Sequence, residues 1–178
     1  MERTFKKRKD ACRTWFICLI LLAPFAASGQ HLTIDSIYKS QVGVREKTGR
    51  NDGVDVEKYL SVCGLNRGQP WCAAYVSWCH LQAEISAPKA GYSPDLFRSH
   101  VVYHRNWKKD FPNVEKGMVF GLFFPNLGRV AHVGFIDNED SKAFYTVEGN
   151  TNQAGSREGD GVYCKKRMKN SIYVISKY

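Results

Sequence analysis

No apolar run in the 178-residue sequence is long enough for an ordinary membrane-spanning helix, which needs ~20 residues; the longest candidate, "TWFICLILLAPFAA", falls short. There is no internal repeat, no low-complexity tract and no linker-like stretch, and so no sign of a separate targeting module. Acidic residues are the scarcer charge, 17 Asp and Glu against 26 Lys and Arg, and the formal charge of +9 favours an anionic partner. Cysteine is sparse, with six in the chain. Cys72, Cys79 and His80 form C-x6-C-H, which offers neither the C-x2–4-C nor the H-x3–5-H spacing of a structural zinc site. "NDGVDVE" has acids but not the D-x-[DN]-x-[DN]-G pattern of a calcium loop, so no required metal and no cofactor is expected.

What is present begins with the N-terminus. Arg3, Lys6, Lys7, Arg8, Lys9 and Arg13 precede the apolar run, which ends in small residues at Ala27-Ser28-Gly29. A basic region, a short apolar core and small residues before a cleavage point read as a secretory signal over residues 1–29, with a mature chain from about Gln30. An uncleaved anchor is the alternative; cleavage implies an exported protein, periplasmic or extracellular, without stable membrane insertion. Removal of this segment takes six basic and two acidic residues and lowers the charge from +9 to +5. For an exported chain the anionic partner is cell wall or lipid headgroup rather than nucleic acid. The remaining 149 residues suit one domain with one core. Cys63, Cys72, Cys79 and Cys164 remain, and an exported protein can keep disulfides.

Apolar spacing of 3–4 residues predicts a helix from Leu32 to about Glu46, with Ile34, Ile37, Tyr38, Gln41 and Val44 or Arg45 on one face. "VDVEKYLSVCGL" reads as a second helix ending near Gly64, and Pro70 precedes a third from about Trp71 to Ala83. From Gly117 the pattern changes to short β-branched and aromatic runs, "MVFGLFFP", "VAHVGFID", "AFYTVEG", "GVYCKKRM" and "IYVISKY", which suggest an antiparallel meander. Between the halves, residues 88–113 read as a long connection with one helical turn near "PDLFRSH". Helices first and strands afterwards make an α+β domain.

The third helix places Cys72 in its first turn, where unpaired backbone N–H groups and the helix dipole favour a thiolate. Cys79 lies two turns on, in a position suited to packing and too far from Cys72 for a bridge. Simple packing remains the alternative for Cys72 too. A thiolate nucleophile needs a base, and that base needs an orienting group. His132 is the candidate base. Its strand should alternate, with Val130, His132, Gly134 and Ile136 on one face and Ala131, Val133 and Phe135 on the other. His31, His80, His100 and His104 all have ordinary solvated readings. Glu148 and Asn150, two apart on the next strand, both present themselves as orienting groups, and a polar turn is the plain reading of that segment.

The segments "QVGVREKTGRNDGVDVEKYL", "GLNRGQPWCAAYVSWCHLQAEI", "AHVGFI" and "VEGNTN" closely resemble the CHAP group of cysteine, histidine-dependent amidohydrolases/peptidases, peptidoglycan hydrolases related to the NlpC group and to papain-like folds. The likeness runs from about Ile34 to Tyr173. It implies a single catalytic domain over residues 30–178, in which the helix carrying the cysteine packs on a C-terminal antiparallel sheet. It makes Cys72 the nucleophile, His132 the general base and acid, and Glu148 or Asn150 the third member. It further implies an oxyanion hole from the Cys72 backbone N–H and a second donor, for which Gln69 is the side-chain candidate. Trp71, Tyr75, Trp107 and the 88–113 connection are candidates for the groove walls, with core packing as the plainer role of each aromatic. The implied partner is peptidoglycan, cut at the N-acetylmuramoyl–L-alanine amide or at a peptide bond of stem or cross-link. Two other readings are a catalytically silent wall-binding domain and an exported toxin or cysteine protease with an immunity or secretion-apparatus partner.

Overall fold

The computed structural model describes residues 32–154 and 159–178. The expected signal segment, residues 1–29, lies outside the described residues, and so does His31. Helix α1 (Ile34–Ser40) follows Thr33, carries Asp35 in its first turn and Lys39 in its last, and buries Ile37 and Tyr38. It is shorter than the apolar spacing suggests. After Gln41 the Gly43 N–H goes to the Val162 carbonyl (3.1 Å), and the Val44 carbonyl accepts from the Val162 N–H (3.0 Å), so Val44 and Arg45 pair with a strand instead of continuing the helix. Helix α2 (Val54–Val62) starts after Gly53 and has Asp55 and Glu57 in its first turn, where carboxylates oppose the positive end of the dipole. Glu57 reaches back to accept the Gly53 N–H at 3.2 Å. Helix α3 (Cys72–Gln82) is buried at every position from Cys72 to Ser77 and again at Cys79 and His80. A helix apolar on all sides belongs in a core.

The strands are β1 (Val101–His104), β2 (Val119–Phe124), β3 (Arg129–Glu139), β4 (Ala143–Thr151), β5 (Gly161–Met168) and β6 (Val174–Ser176). They form one sheet in the order β1-β6-β2-β3-β4-β5 with antiparallel pairing. The meander expectation holds for β2 to β5. β6 instead crosses back to lie between β2 and β1. β1 falls within the stretch expected to be an irregular connection: four residues show no usable periodicity, and their pairing partner lies seventy residues further on. The expected helical turn near "PDLFRSH" is a 3-10 turn over Ser93–Phe97.

The helices cover one face of the sheet. Tyr38 stacks on Phe135 with ring centroids 4.9 Å apart, and Tyr75 meets the same ring edge-on at 6.1 Å. On the other face Phe120, Ile136, Phe144, Ile172 and Ile175 form a second apolar cluster, against which Phe111 and Val114 of the β1–β2 connection pack. The division is therefore α+β, three helices and a six-stranded antiparallel sheet among the described residues. No helix among them is long and apolar enough to cross a membrane.

Candidate active site

The start of α3 is tied down from several sides. The Trp71 indole Nε1 donates to Glu46 Oε1 at 2.9 Å, and its ring stacks on Tyr59 at 5.5 Å. With its amide assigned the orientation that satisfies its neighbours, Asn150 accepts from the Trp71 backbone N–H at 2.9 Å and donates to the Gly159 carbonyl at 3.1 Å. Asn150 sits at φ 53°, a left-handed conformation that asparagine tolerates better than most residues. It stands at an irregularity where β4 carries one more residue than β5 between Glu148 and Thr151. Asn150 thus anchors the cysteine helix and makes no bond to His132. Gly149 lets β4 come this close: a Cβ there would lie 2.7 Å from Tyr75 Cγ and 2.8 Å from Trp71 Cζ3.

Cys72 is the first residue of α3, where no preceding turn supplies acceptors for the backbone N–H groups. Its Sγ lies 3.6 Å from Ser93 Oγ. His132 comes from β3 at a bulge: Leu122 pairs with His132 but Phe123 pairs with Val130, so Ala131 is the extra residue. The bulge overturns the strict alternation expected for this run. Val130, Val133 and Phe135 join the core cluster beneath the helices, while Ile136 belongs to the opposite one.

Of the two candidates, Glu148 is the one bonded to His132. Its Oε2 lies 2.8 Å from His132 Nε2. Arg167 grips the same carboxylate with two donors, Nε to Oε1 at 2.8 Å and Nη2 to Oε2, and Thr146 Oγ1 donates to Oε1 at 2.6 Å. Glu148 and His132 are almost fully buried. Gly134 makes room for this packing, since a Cβ there would meet Glu148 Cγ at 2.8 Å and the Val147 carbonyl oxygen at 2.9 Å.

With Nε2 committed to Glu148, His132 Nδ1 has no hydrogen-bond partner of its own, yet the ring and the Cys72 sulfur are close enough to shift each other. Burial pulls the imidazole pKa down, but the interactions with Cys72 and Glu148 outweigh it and raise it to about 9. Burial also disfavours the Cys72 thiolate, and His132, Ser93 and the Val133 backbone more than offset this, holding the thiol below its ordinary value. Glu148 is likewise penalised by burial and held down to about 2 by Arg167 and His132. The arrangement favours a thiolate–imidazolium pair backed by a permanent carboxylate.

No protein-family model matches this chain, and neither the curated proteins nor the solved structures gave a match.

A cleft of about 440 Å³ opens beside Cys72, lined by Gln69, Tyr92, Ser93, Asp95 and Arg129. Gln69 is exposed there, as its place before the helix suggests. Of the wall candidates, the 88–113 connection supplies Tyr92, Ser93 and Asp95, whereas the three aromatics lie elsewhere. Trp71 and Tyr75 are fully buried core residues, with the Tyr75 hydroxyl donating to the Tyr38 carbonyl at 2.9 Å. Trp107 is exposed beside Lys108 and Lys109 on the β1–β2 connection and is not among the cleft residues. His80, expected in solvent, is buried against Phe135 and Tyr178, because its face of α3 packs on the sheet and the C-terminal segment. Cys63, Cys72, Cys79 and Cys164 are all unpaired. Burial raises the Cys79 thiol well above its ordinary value, which suits a packing role. Among the described residues no three His, Cys, Asp or Glu side chains come together as a metal cluster.

Sequence reasoning missed Ser93, Thr146, Arg167 and Gly134. Arg167 lies in a basic run, "KKRMKN", whose residues look alike until the strand pairing selects one. Ser93 lies in the 88–113 connection, where no periodicity marks it out.

Proposed function

We propose that this protein is an exported cysteine amidohydrolase of the CHAP type, with a papain-like arrangement of helix and sheet, that cleaves an amide bond in peptidoglycan. The observation that carries the reading is the buried chain Cys72–His132–Glu148, backed by the part-buried Arg167, beside an open cleft. A packing cysteine needs neither an imidazole nor a clamped carboxylate behind it, and that weighs against the silent-domain alternative. In the proposed reaction the Cys72 thiolate attacks the carbonyl, with the Cys72 backbone N–H and the Gln69 side chain as oxyanion donors. The carbon–nitrogen bond breaks as His132 Nδ1 gives its proton to the leaving amine, which leaves a thioester. His132 then takes a proton from water, the hydroxide displaces the sulfur, and the acid product departs. Glu148 occupies Nε2, which leaves Nδ1 free for the proton transfers.

Purified peptidoglycan incubated with the protein should release free amino groups, and mass spectrometry of the fragments should name the bond. Cys72→Ala should abolish release. Intact wall after incubation with the wild type, or release that survives Cys72→Ala, would refute the hydrolase reading.

A further inference from the structure

We propose that Arg129, held over Tyr92, reads a free carboxylate next to the amide that Cys72 attacks, so the substrate is an anionic peptide rather than a neutral one. This rests on the reading of the Cys72 cleft as an active site and narrows its substrate class.

Arg129 opens β3 three residues before His132 and lines the same cleft as Cys72. It is half-buried, and two contacts fix its pose. Nη1 donates to the Val130 carbonyl at 3.0 Å, and the guanidinium carbon lies 4.8 Å from the centre of the Tyr92 ring. Neither contact supplies a negative charge, and among the described residues no carboxylate pairs with Arg129. The acid in the same cleft is already engaged: Asp95 Oδ1 accepts from Arg98 Nη2 at 2.7 Å and from Arg98 Nε at 2.8 Å. The cleft therefore holds one balanced carboxylate and one unbalanced cation.

A guanidinium in a concave, half-dry place loses hydration without compensation until an anion arrives. Its planar fork matches a carboxylate with two parallel N–H···O bonds. The stacking on Tyr92 has already restricted the side chain, so binding costs less of its freedom. A γ-linked glutamate in a peptide leaves its α-carboxylate free beside the backbone amides, which is the chemistry such a fork would take.

The test uses Cys72→Ala protein, so that nothing turns over, titrated calorimetrically with L-alanyl-γ-D-glutamyl-L-lysine and with the same peptide carrying an α-carboxamide on the glutamate. The carboxylate form should bind about tenfold more tightly. Adding Arg129→Gln should abolish that preference, and Arg129→Lys should keep part of it, because the charge stays while the fork is lost. Equal binding of the two peptides, a preference that survives Arg129→Gln, or no binding of either overturns the proposal. A second readout uses the wild-type thiol. The ratio of Cys72 alkylation by iodoacetate to that by iodoacetamide should fall several-fold in Arg129→Gln, and an unchanged ratio counts against the subsite. Amine release from wall without any carboxylate preference would sink the subsite alone. Carboxylate preference without amine release would sink the hydrolase reading alone.

Discussion

At the scale of single residues, the site is governed by a buried carboxylate that stays ionised. Glu148 accepts from His132, Arg167 and Thr146, and with this support it remains charged down to about pH 2. That charge and the Cys72 sulfur keep His132 protonated up to about pH 9. The sign follows directly. Activity should rise with pH as Cys72 ionises and fall as His132 loses, near pH 9, the proton that the leaving amine needs. Because the imidazole pKa is raised above its unfolded value of 6.5, the stability linked to protonated His132 is full below pH 6.5 and is lost as pH rises through about 9. In Glu148→Gln the alkaline limb should move down by about one unit or more, measured as the pH dependence of amine release from peptidoglycan. An unmoved limb would mean that Glu148 does not set the imidazole. Cys72 and His132 were legible in the sequence, and Glu148 only as one of two alternatives with Asn150, because thiol, imidazole and carboxylate are the groups the proposed chemistry itself requires. Arg167 and Thr146 were not, because they act on Glu148 only through strand pairing, which no local pattern announces.

At the scale of elements, two departures from regular strand geometry build the site. The extra residue Ala131 in β3 sits beside His132, and the extra residue in β4 places Asn150 where its side chain holds the start of α3. Glu148 and Asn150 looked interchangeable as i, i+2 neighbours on an ideal strand. The irregularity between them separates their roles, one toward His132 and one toward Trp71. Helix starts and strand centres were readable from apolar spacing, whereas bulges follow from pairing across the sheet. Gly134 tests how tight this construction is. Gly134→Ala places a methyl group against Glu148 Cγ and the Val147 carbonyl. Urea denaturation should show a loss of about 1–3 kcal/mol from overpacking, and Cys72 alkylation should slow as Glu148 is displaced. If both are unchanged, β3 and β4 have slack that the close contacts do not suggest.

At the scale of the whole molecule, α3 is enclosed between α2, α1 and the sheet, and His80 is enclosed with it. Neither ring nitrogen of His80 has a partner, and burial lowers its pKa to about 4, below its ordinary 6.5. The folded protein therefore resists a proton that the unfolded chain takes up. The stability linked to neutral His80 is full above pH 6.5 and is lost as pH falls through about 4. His80→Phe should reduce the fall in urea midpoint between pH 7 and pH 4.5 relative to the wild type; an equal fall in both would assign acid unfolding to other groups. The sequence showed a histidine beside a cysteine but not its burial, because enclosure depends on every element around α3.

The return of β6 into the middle of the sheet has a consequence for how the protein is made. Tyr178 donates its hydroxyl to the Leu96 carbonyl, so the segment bearing Ser93 and Asp95 is braced by residues that the ribosome delivers after all the other strands. β1 likewise waits for β6 before it has a neighbour. A chain truncated before the sixth strand should therefore lack the brace on the cleft wall, and its Cys72 should lose the environment that the complete fold gives it.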